Sequence, residues 1–418
     1  MNKLLITGGN RLHGAIDISG AKNAALPIIA SALLADGCSL YFNVPKLRDI
    51  TTISRLLTEF GAEVDTGGNG ALRVDSSNLR AYNAPYELVK TMRASILVLG
   101  PLLARMGKAR VSLPGGCAIG PRPVDLHLKA LSAMGARIVL ERGYILADCR
   151  KLKGTKIYFD ISTVTGTENV MMAATLADGT TVLENAAREP EVEELAAVLN
   201  KMGGRIEGAG TDVITIDGVS ALHQVEHTIM PDRIEAGTYM MAAGITRGDI
   251  RLLNCNPAHC YAVLEKLKEI GLDVAEEKAS VRVRWKQPLS GTEVRTLPYP
   301  GFPTDLQAQI MALLCLSEGT SMISETIFED RFMHVGELRR MGAHIRLDGG
   351  SAFVSGVKRL SGAPVMATDL RASASLVLAA LVAEGTTEIS RIYHLERGYE
   401  RVEEKLKLLG ADIRTVRA

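Results

Sequence analysis

The sequence AALPIIASALLADG, residues 24–37, is one of six apolar runs that each end on a glycine. Two of its counterparts are MMAATLADG, residues 171–179, and LVLAALVAEG, residues 376–385. The closing glycines follow one another at intervals of 70, 72, 69, 71 and 66 residues: Gly37, Gly107, Gly179, Gly248, Gly319 and Gly385. A period of this length indicates one supersecondary unit that is repeated until its copies bury a continuous core.

A second glycine follows each closing glycine after a further 23 to 28 residues: Gly61, Gly135, Gly203, Gly271, Gly342 and Gly410. Before Gly61, the residues Ile50, Ile53 and Leu57 recur on one helix face, which predicts an amphipathic helix with the glycine as its C-terminal cap. The first run of each copy is instead apolar nearly all round, which is typical of an interior helix. We therefore expect an α/β fold in which each copy contributes one buried helix, one outer helix and strands that form sheet around them.

Length and composition limit the class of protein. A chain of 418 residues exceeds one ordinary core and predicts two domains. The formal net charge is +1, which argues against nucleic acid or an acidic membrane surface as a partner. No apolar run reaches the length of a membrane span and the first residues do not read as a signal peptide, so we expect a cytoplasmic protein.

Six cysteines lie far apart without a CxxC pair, so neither a disulfide framework nor a metal site is expected. Cys117 differs from the others because LPGGCAIGPRPVDLH, residues 113–127, is too rich in glycine and proline for a helix or a central strand. Arg122 follows it by five residues, and a nearby cation favours the thiolate form. The sequence predicts a loop here, and its cysteine is either a reactive thiol or an incidental loop residue.

Charged residues recur at two levels of the repeat. Near the start of each buried run, 14 or 15 residues before the closing glycine, stand Lys22, Arg93, Thr165, Arg233, Asp305 and Arg371. In five copies an arginine stands 9 to 15 residues after the closing glycine: Arg48, Arg122, Arg188, Arg331 and Arg397. If the buried helices lie side by side, these residues gather near helix N-termini, which already favour an anion.

Five of these cations predict a site for a small molecule that carries phosphate and carboxylate: Lys22, Arg122, Arg331, Arg371 and Arg397. Arginine matches both groups through paired hydrogen bonds. Each of these charged residues, taken alone, is also compatible with a local helix cap or a surface ion pair. Their alignment in a chain of near-zero net charge favours the anion site.

The segments that carry these residues resemble those of the enolpyruvyl transferases, and among them the members that act on UDP-N-acetylglucosamine. The similar segments are ISGAKNAALP (18–27), KTMRAS (90–95), LPGGCAIGPRPVDLH (113–127), ENAAREPE (184–191), FPTDLQAQ (302–309), FEDRFMHV (328–335), ATDLRASASLVLA (367–379) and RIYHLERGYER (391–401). The resemblance runs along the whole chain. It implies a two-domain inside-out α/β prism of six βαβαββ repeats, with residues 22–229 in one domain, residues 1–21 and 230–418 in the other, and the active site in the cleft between them.

The resemblance also implies a reaction. The enolpyruvyl group of phosphoenolpyruvate would pass to the 3-hydroxyl of UDP-N-acetylglucosamine by addition and elimination through a tetrahedral ketal, with release of phosphate. This is the first committed step of peptidoglycan synthesis. The chemistry requires proton transfer and charge neutralisation, so no metal and no organic cofactor are expected.

Residue roles follow by resemblance alone. Lys22, Arg122 and Arg397 would hold the phosphate of phosphoenolpyruvate, and Arg331 and Arg371 its carboxylate. Asn23 would touch both ligands. Asp305 would accept the proton of the attacking hydroxyl. Cys117 would donate a proton to the methylene carbon and would be the residue that fosfomycin alkylates.

The nucleotide end of the site is implied in the same way. It would involve Arg93, Arg122, Pro123, Val124, Asp125, Leu126 and the backbone near Ile327. In the third copy this chain reads DISTVTGTEN, residues 160–169, and places Ile161 where many relatives carry lysine. Contacts from Ser162, Thr163 and Val164 to the uridine diphosphate are therefore a weaker expectation.

Two alternatives remain from the sequence. The shikimate-pathway enolpyruvyl transferase shares the fold but lacks the cysteine loop. A catalytically silent sugar-nucleotide-binding paralogue would be expected to have lost Lys22, Cys117 or Asp305, and this chain retains all three.

Overall fold

The computed structural model describes residues 2–113 and 124–417, and these residues form two compact units. Unit I contains the described residues from Gly20 to Met230. Unit II contains those up to Ser19 and those from Pro231 onward. Unit II therefore combines the first strands of the chain with its whole second half.

Helices and strands alternate along the described chain. The α-helices are α1 Lys22–Ser31, α2 Arg48–Glu59, α3 Tyr86–Val89, α4 Leu99–Met106, α5 Asp125–Ala133, α6 Val164–Ala174, α7 Pro190–Lys201, α8 Arg233–Ile245, α9 Tyr261–Glu269, α10 Gln307–Leu314, α11 Val335–Arg340, α12 Leu370–Ala380 and α13 Val402–Leu408. Short 3₁₀ helices span Ala32–Leu34, Gly68–Gly70, Arg93–Val98, Pro257–Cys260, Thr304–Leu306 and Ile392–Arg397. No helix among the described residues has the length and apolar character needed to cross a bilayer.

The strands of the described chain belong to unit II up to Asp17, to unit I from Ala35 to Thr228, and to unit II again from Asp249 onward. In chain order they are β1 Asn2–Thr7, β2 His13–Asp17, β3 Ala35–Asp36, β4 Cys38–Phe42, β5 Glu63–Thr66, β6 Leu72–Asp75, β7 Asn83–Ala84, β8 Lys108–Ser112, β9 Arg137–Glu141, β10 Tyr144–Asp148, β11 Lys156–Tyr158, β12 Thr180–Glu184, β13 Arg205–Glu207, β14 Val213–Asp217, β15 Leu222–His223, β16 Glu226–Thr228, β17 Asp249–Leu253, β18 Asp273–Glu277, β19 Ser280–Arg284, β20 Glu293–Arg295, β21 Thr320–Ser324, β22 His344–Asp348, β23 Ser351–Ser355, β24 Pro364–Met366, β25 Thr386–Ser390 and β26 Asp412–Arg417.

Within the described residues, six four-stranded sheets share one arrangement, three in each unit. Their strand orders are β16-β4-β6-β5, β7-β8-β10-β9 and β11-β12-β14-β13 in unit I, and β2-β17-β19-β18, β20-β21-β23-β22 and β24-β25-β1-β26 in unit II. In each sheet the first pair is parallel and the next two pairs are antiparallel. The repeat predicted from the glycine spacing thus corresponds to one sheet with its two helical segments.

The register of the third sheet shows how each sheet meets the core. Ile157 lies opposite Leu183, and Leu183 lies opposite Ile214 on the next strand. All three side chains are buried. Because side chains alternate across a strand, the residues between them face outward, as in Thr180–Glu184 with its alternating burial. One apolar row per sheet therefore faces the helices.

The helices apolar nearly all round lie inside each unit, as predicted. In unit I, α6 packs on both α1 and α4, and in unit II α8, α10 and α12 all pack on one another. Every residue of α10 is buried, as is every residue of α8 after Arg233. The outer helices are amphipathic, as α2 shows by burying Ile50, Ile53 and Leu57. Each unit has its own hydrophobic core, and the predicted α/β fold is confirmed.

The second glycine of each copy ends its outer helix in the expected way. All six have φ between 92° and 103°, a region that strongly favours glycine after a helix. The closing glycine of the fourth copy departs from its counterparts, because Arg247 takes the left-handed conformation one residue earlier, with φ 54°. Gly248 is required there for another reason, since a Cβ atom would lie 2.1 Å from the carbonyl oxygen of Leu12.

Candidate functional site

Unit II holds the carboxylate of Asp305 between two arginines. Arg331 Nη2 donates to Asp305 Oδ1 at 2.7 Å, and Arg371 Nη2 donates to Asp305 Oδ2 at 2.7 Å. Arg331 is 6% exposed and Arg371 is 3% exposed. Each carboxylate oxygen is therefore bound by a different buried guanidinium, and these charge-assisted bonds are among the strongest in proteins.

The local backbone structure sets the position of each of these three residues. Asp305 lies in the 3₁₀ turn that enters α10, and Arg371 is the second residue of α12. The side chain of Asp369 caps α12 by accepting from the N–H groups of Arg371 and Ala372 at 2.7 and 3.0 Å. Arg331 also donates from Nη1 to Thr304 Oγ1 at 2.9 Å. The starts of the buried helices α10 and α12 and the loop after β21 therefore meet at this cluster.

The charge balance of this cluster favours a further anion. Burial disfavours the charged form of Arg371, but nearby Asp305 outweighs it, so the pKa of Arg371 is raised. Burial also disfavours the charged form of His334 and lowers its pKa to about 4. This neighbour of Arg331 is therefore a neutral imidazole at pH 7. Two guanidinium groups face one carboxylate, and arginine also matches a second carboxylate or a phosphate.

Glu325 organises the loop that carries Ile327, and the sequence did not single it out. Its Oε1 accepts from the N–H groups of Ile327 and Phe328 at 2.8 and 3.2 Å. Its Oε2 accepts from Thr304 Oγ1 at 2.8 Å, which links the loop to Arg331. The backbone N–H of Ile327 is thus engaged by a buried carboxylate. A glutamate at the end of a strand gives no sequence signal of this role.

Arg397 belongs to the 3₁₀ helix Ile392–Arg397 and is half-buried. The next residue, Gly398, approaches the start of α12 so closely that a Cβ atom would lie 2.6 Å from Leu370 Cδ1. Since Leu370 precedes Arg371, the turn after Arg397 packs beside the residue that holds Asp305. Unit II therefore brings Asp305, Arg331, Arg371 and the Arg397 turn into one region.

Unit I contains the predicted residues Lys22 and Asn23 in the first turn of α1. Lys22 Nζ lies 3.7 Å from Asp49 Oδ2, and their side chains are 12% and 4% exposed. Asp49 was not predicted as a site residue. It lies in the first turn of α2 beside Arg48, where an exposed acidic residue is common, so only the structure reveals it as a buried partner of the lysine.

Arg93 begins a 3₁₀ helix near a buried histidine, His127. Burial, and then the charge of Arg93, lower the pKa of His127 to about 4. Asn169 Nδ2 lies 2.9 Å from His127 Nδ1 and donates to it when the imidazole is neutral. Asn169 Oδ1 accepts from Gly100 N–H at 2.7 Å, so this network joins the second and third copies.

The remaining predicted nucleotide residues lie at two helix starts of unit I. Val124 occupies the N-cap position of α5, and Asp125 and Leu126 form its first turn. Thr163 caps α6 by accepting from Gly166 N–H at 3.3 Å, with Ser162 before it and Val164 after it. Helix N-termini present free N–H groups to an anion, which is compatible with a diphosphate. Cys117, Arg122 and Pro123 lie outside the described residues.

A buried acid in unit I was also missed by the sequence analysis. Glu168 is 1% exposed, and burial followed by the nearby charges of Glu191 and Glu189 raises its pKa well above its usual range. Both causes disfavour the charged carboxylate form of Glu168. Among the described residues, no group of three or more His, Cys, Asp or Glu side chains is arranged to hold a metal ion.

Known proteins are similar to this chain along its whole length. The family model described as EPSP synthase (3-phosphoshikimate 1-carboxyvinyltransferase) matches residues 6–406. UDP-N-acetylglucosamine 1-carboxyvinyltransferase from Myxococcus xanthus is 60% identical, with all of both chains covered. The enolpyruvyl transferase NikO from Streptomyces tendae is 27% identical with a TM-score of 0.89, covering 100% of this chain and 99% of that one. EPSP synthase from Acinetobacter baumannii covers both chains fully with a TM-score of 0.78, but at 19% identity it shares the fold alone.

Proposed function

This chain belongs to the EPSP synthase family of enolpyruvyl transferases, and on that premise we propose that it is the enzyme that acts on UDP-N-acetylglucosamine. It transfers the enolpyruvyl group of phosphoenolpyruvate to the 3-hydroxyl of the sugar and releases phosphate, as a step of peptidoglycan synthesis. One observation carries this choice: the 60% identity, over the full length, to a relative named for that reaction. The cytoplasm, where both substrates are metabolites, is its proposed location.

The shikimate-pathway alternative is not favoured. The EPSP synthase from Acinetobacter baumannii is 19% identical to this chain, about a third of the identity shared with the Myxococcus xanthus enzyme. A silent sugar-nucleotide-binding paralogue is not favoured either, because Lys22, Cys117 and Asp305 are all present. We therefore assign roles to residues for the transfer to UDP-N-acetylglucosamine.

Arg331 and Arg371 are proposed to hold the carboxylate of phosphoenolpyruvate. Their convergence on Asp305 supports this role, because two guanidinium groups that already bind one carboxylate from both sides are suited to a second. Lys22, Arg122 and Arg397 are proposed to hold the phosphate, with Asn23 between the two ligands.

Asp305 is proposed as the base. It takes the proton of the 3-hydroxyl as that oxygen bonds to C2 of phosphoenolpyruvate, while Cys117 gives its thiol proton to C3. The product of this addition is a tetrahedral ketal that still carries the phosphate. Loss of a proton from the new methyl group re-forms the double bond as the C2–O bond to phosphate breaks. The cations stabilise the departing phosphate.

The sugar nucleotide is proposed to bind along Arg93, Arg122, Pro123, Val124, Asp125, Leu126, Ser162, Thr163, Val164 and the Ile327 backbone. Two of these segments lie at the helix starts of α5 and α6, where free N–H groups favour a diphosphate. Fosfomycin is proposed to react at Cys117, whose thiolate would open the epoxide ring and remain bonded to its carbon. Loss of that thiolate by Cys117→Ser should remove the covalent attachment of fosfomycin.

Phosphate release tests the proposed function directly. Purified protein is incubated with phosphoenolpyruvate and either UDP-N-acetylglucosamine or shikimate 3-phosphate, with and without fosfomycin. We expect release only with UDP-N-acetylglucosamine, and its loss after fosfomycin treatment. Release with shikimate 3-phosphate would favour the shikimate-pathway reaction. Binding of UDP-N-acetylglucosamine without release would favour the silent paralogue.

A further inference from the structure

Three buried polar side chains meet beside the backbone of Asp305 in unit II. Tyr399 OH lies 2.9 Å from Thr238 Oγ1, and Gln309 Nε2 lies 3.0 Å from Tyr399 OH and 3.2 Å from Thr238 Oγ1, so that one of its two N–H groups faces this pair of oxygens. Thr238 is 7% exposed, Gln309 0% and Tyr399 3%. They come from α8, α10 and the turn after the 3₁₀ helix Ile392–Arg397. Buried polar groups normally have hydrogen-bond partners, and the polar atoms of these three side chains do so except for Gln309 Oε1, which has none among the described residues.

The direction of these bonds follows from the donors available. Thr238 donates its hydroxyl proton to the carbonyl of Ile234 at 2.9 Å, so its oxygen accepts from Tyr399 OH. The phenol oxygen is then left with lone pairs for the amide of Gln309 and for Arg371 Nη1, which lies 3.5 Å away. Burial raises the pKa of Tyr399, which keeps this phenol protonated and able to donate.

This cluster touches two residues of the proposed site without reaching the Asp305 carboxylate. Gln309 Nε2 donates to the carbonyl oxygen of Asp305 at 2.9 Å, which fixes the turn that carries the carboxylate. Tyr399 contacts Arg371, whose other terminal nitrogen, Nη2, binds Asp305. The cluster therefore supports the base on one side and its arginine partner on the other.

We propose that the Tyr399 hydroxyl, with Gln309 and Thr238, is a positioning element that sets the orientation of Arg371 for the carboxylate of phosphoenolpyruvate. This rests on the proposed function. The guanidinium of Arg371 is fully buried, so its plane is set by the groups that accept from it. Asp305 supplies one such group and Tyr399 the other. A ligand carboxylate must match that plane to gain paired hydrogen bonds.

Tyr399→Phe tests the inference because it removes one oxygen and keeps the ring. We expect the KM for phosphoenolpyruvate to rise three- to tenfold, with the KM for UDP-N-acetylglucosamine and kcat within twofold of wild type. Tyr239→Phe is the matched control. Tyr239 lines the same small apolar cavity as Tyr399, and its hydroxyl has no hydrogen-bond partner among the described residues. Its loss should leave all three constants unchanged.

A double-mutant cycle shows whether Tyr399 acts through Arg371. In an Arg371→Lys background, Tyr399→Phe should change kcat/KM for phosphoenolpyruvate less than twofold, because the partner of the hydroxyl is already gone. An equal effect in both backgrounds overturns the inference, as does an unchanged KM for phosphoenolpyruvate in folded Tyr399→Phe protein.

If Tyr399→Phe does not fold, Thr238→Val replaces it. This variant should also raise the KM for phosphoenolpyruvate. An unchanged KM in Thr238→Val overturns the inference.

The wild-type assay separates this inference from the proposed function. Wild-type protein without phosphate release would contradict the proposed function and the substrate role given to Arg371 together. Wild-type activity with an unaltered Tyr399→Phe variant would contradict the positioning role alone.

Discussion

Asp305 Oδ2 and Arg371 Nη2 lie 2.7 Å apart although the two residues are separated by 66 positions in the sequence. That separation is close to one repeat, so the pair joins equivalent ends of α10 and α12 in neighbouring copies. The bond therefore exists only when the two copies pack together. It also connects the proposed base with a proposed ligand for the substrate carboxylate.

Asp305→Asn should lower kcat by about 10²- to 10⁴-fold, the contribution typical of a general acid or base. The amide keeps the shape of the carboxyl group but cannot take the hydroxyl proton. Its NH₂ group also faces a guanidinium, so the melting temperature should fall. Asp348→Asn is the control, since Asp348 pairs with Arg346 on the exposed surface. Phosphate release and thermal unfolding report both effects, and a variant that retains more than a tenth of the wild-type kcat would rule out the base role.

Lys22→Met should destabilise unit I by about 3 kcal/mol, because it removes a charged neighbour of the buried Asp49. It should also abolish turnover if Lys22 holds the phosphate. Lys129→Met removes the exposed ion pair with Asp160 and should change stability by less than about 0.5 kcal/mol. Urea unfolding of both variants makes the comparison. Equal stability losses would show that burial of the Lys22 pair is unimportant.

Stability should fall on acidification because of His127. Its folded pKa of about 4 lies below the ordinary 6.5, so between these values the unfolded chain binds the proton and the folded protein does not. The free energy of unfolding therefore decreases as the pH falls from 6.5 to 4, by about 3 kcal/mol in total. The loss is complete below pH 4, and above pH 6.5 this group contributes no pH dependence.

His127→Asn should remove about half of that acid limb, because His334 also has a folded pKa of about 4 and contributes a similar loss. Urea unfolding at several pH values measures the change. The exposed His344→Asn variant is the control and should follow the wild-type profile. An acid limb that persists unchanged in His127→Asn would assign the effect to other groups.

Gly100→Ala should destabilise unit I by about 1 to 3 kcal/mol, the usual cost of overpacking. A Cβ atom at this position of α4 would lie 2.3 Å from the backbone oxygen of Asn169 and 2.5 Å from its Oδ1. The helices α4 and α6 would have to separate. Gly336→Ala in α11 has no atom within 4 Å of the new Cβ and should gain up to about 1 kcal/mol from helix propensity. Thermal unfolding of the two variants should therefore move in opposite directions.

Much of the fold could be predicted because the repeat fixes local structure. The apolar runs predicted interior helices, and the second glycines predicted caps, since only glycine readily takes the φ values found there. The sequence could not place β1 between β25 and β26, because that pairing joins strands from opposite ends of the chain. Nor could it show that Arg247 takes over the left-handed position in the fourth copy.

The site could be predicted only as a set of charges at two levels of the repeat. Alignment pointed to Asp305, Arg331 and Arg371, and the structure brings their side chains together. No signal in the sequence pointed to Asp49 beside Lys22, Glu325 beside Thr304 or Tyr399 beside Arg371, because a buried polar side chain looks like an exposed one in a sequence. The roles of the aligned residues and the reactive thiol in the cysteine loop remain predictions, which the experiments above test.

The insertion of β1 imposes an order on biosynthesis. Unit I has all its described strands between Gly20 and Met230, so it is able to fold while the ribosome is still adding the second half. Lys3 and Glu388, which pair across β1 and β25, are 385 residues apart. At ordinary elongation rates, about 20 to 80 s pass between the synthesis of β1 and that of β25. During this time the apolar side chains of Leu4 and Ile6 are not packed in the sheet. A chaperone that shields this first strand, rather than one that acts on unit I, would have the greater effect on the yield of folded protein.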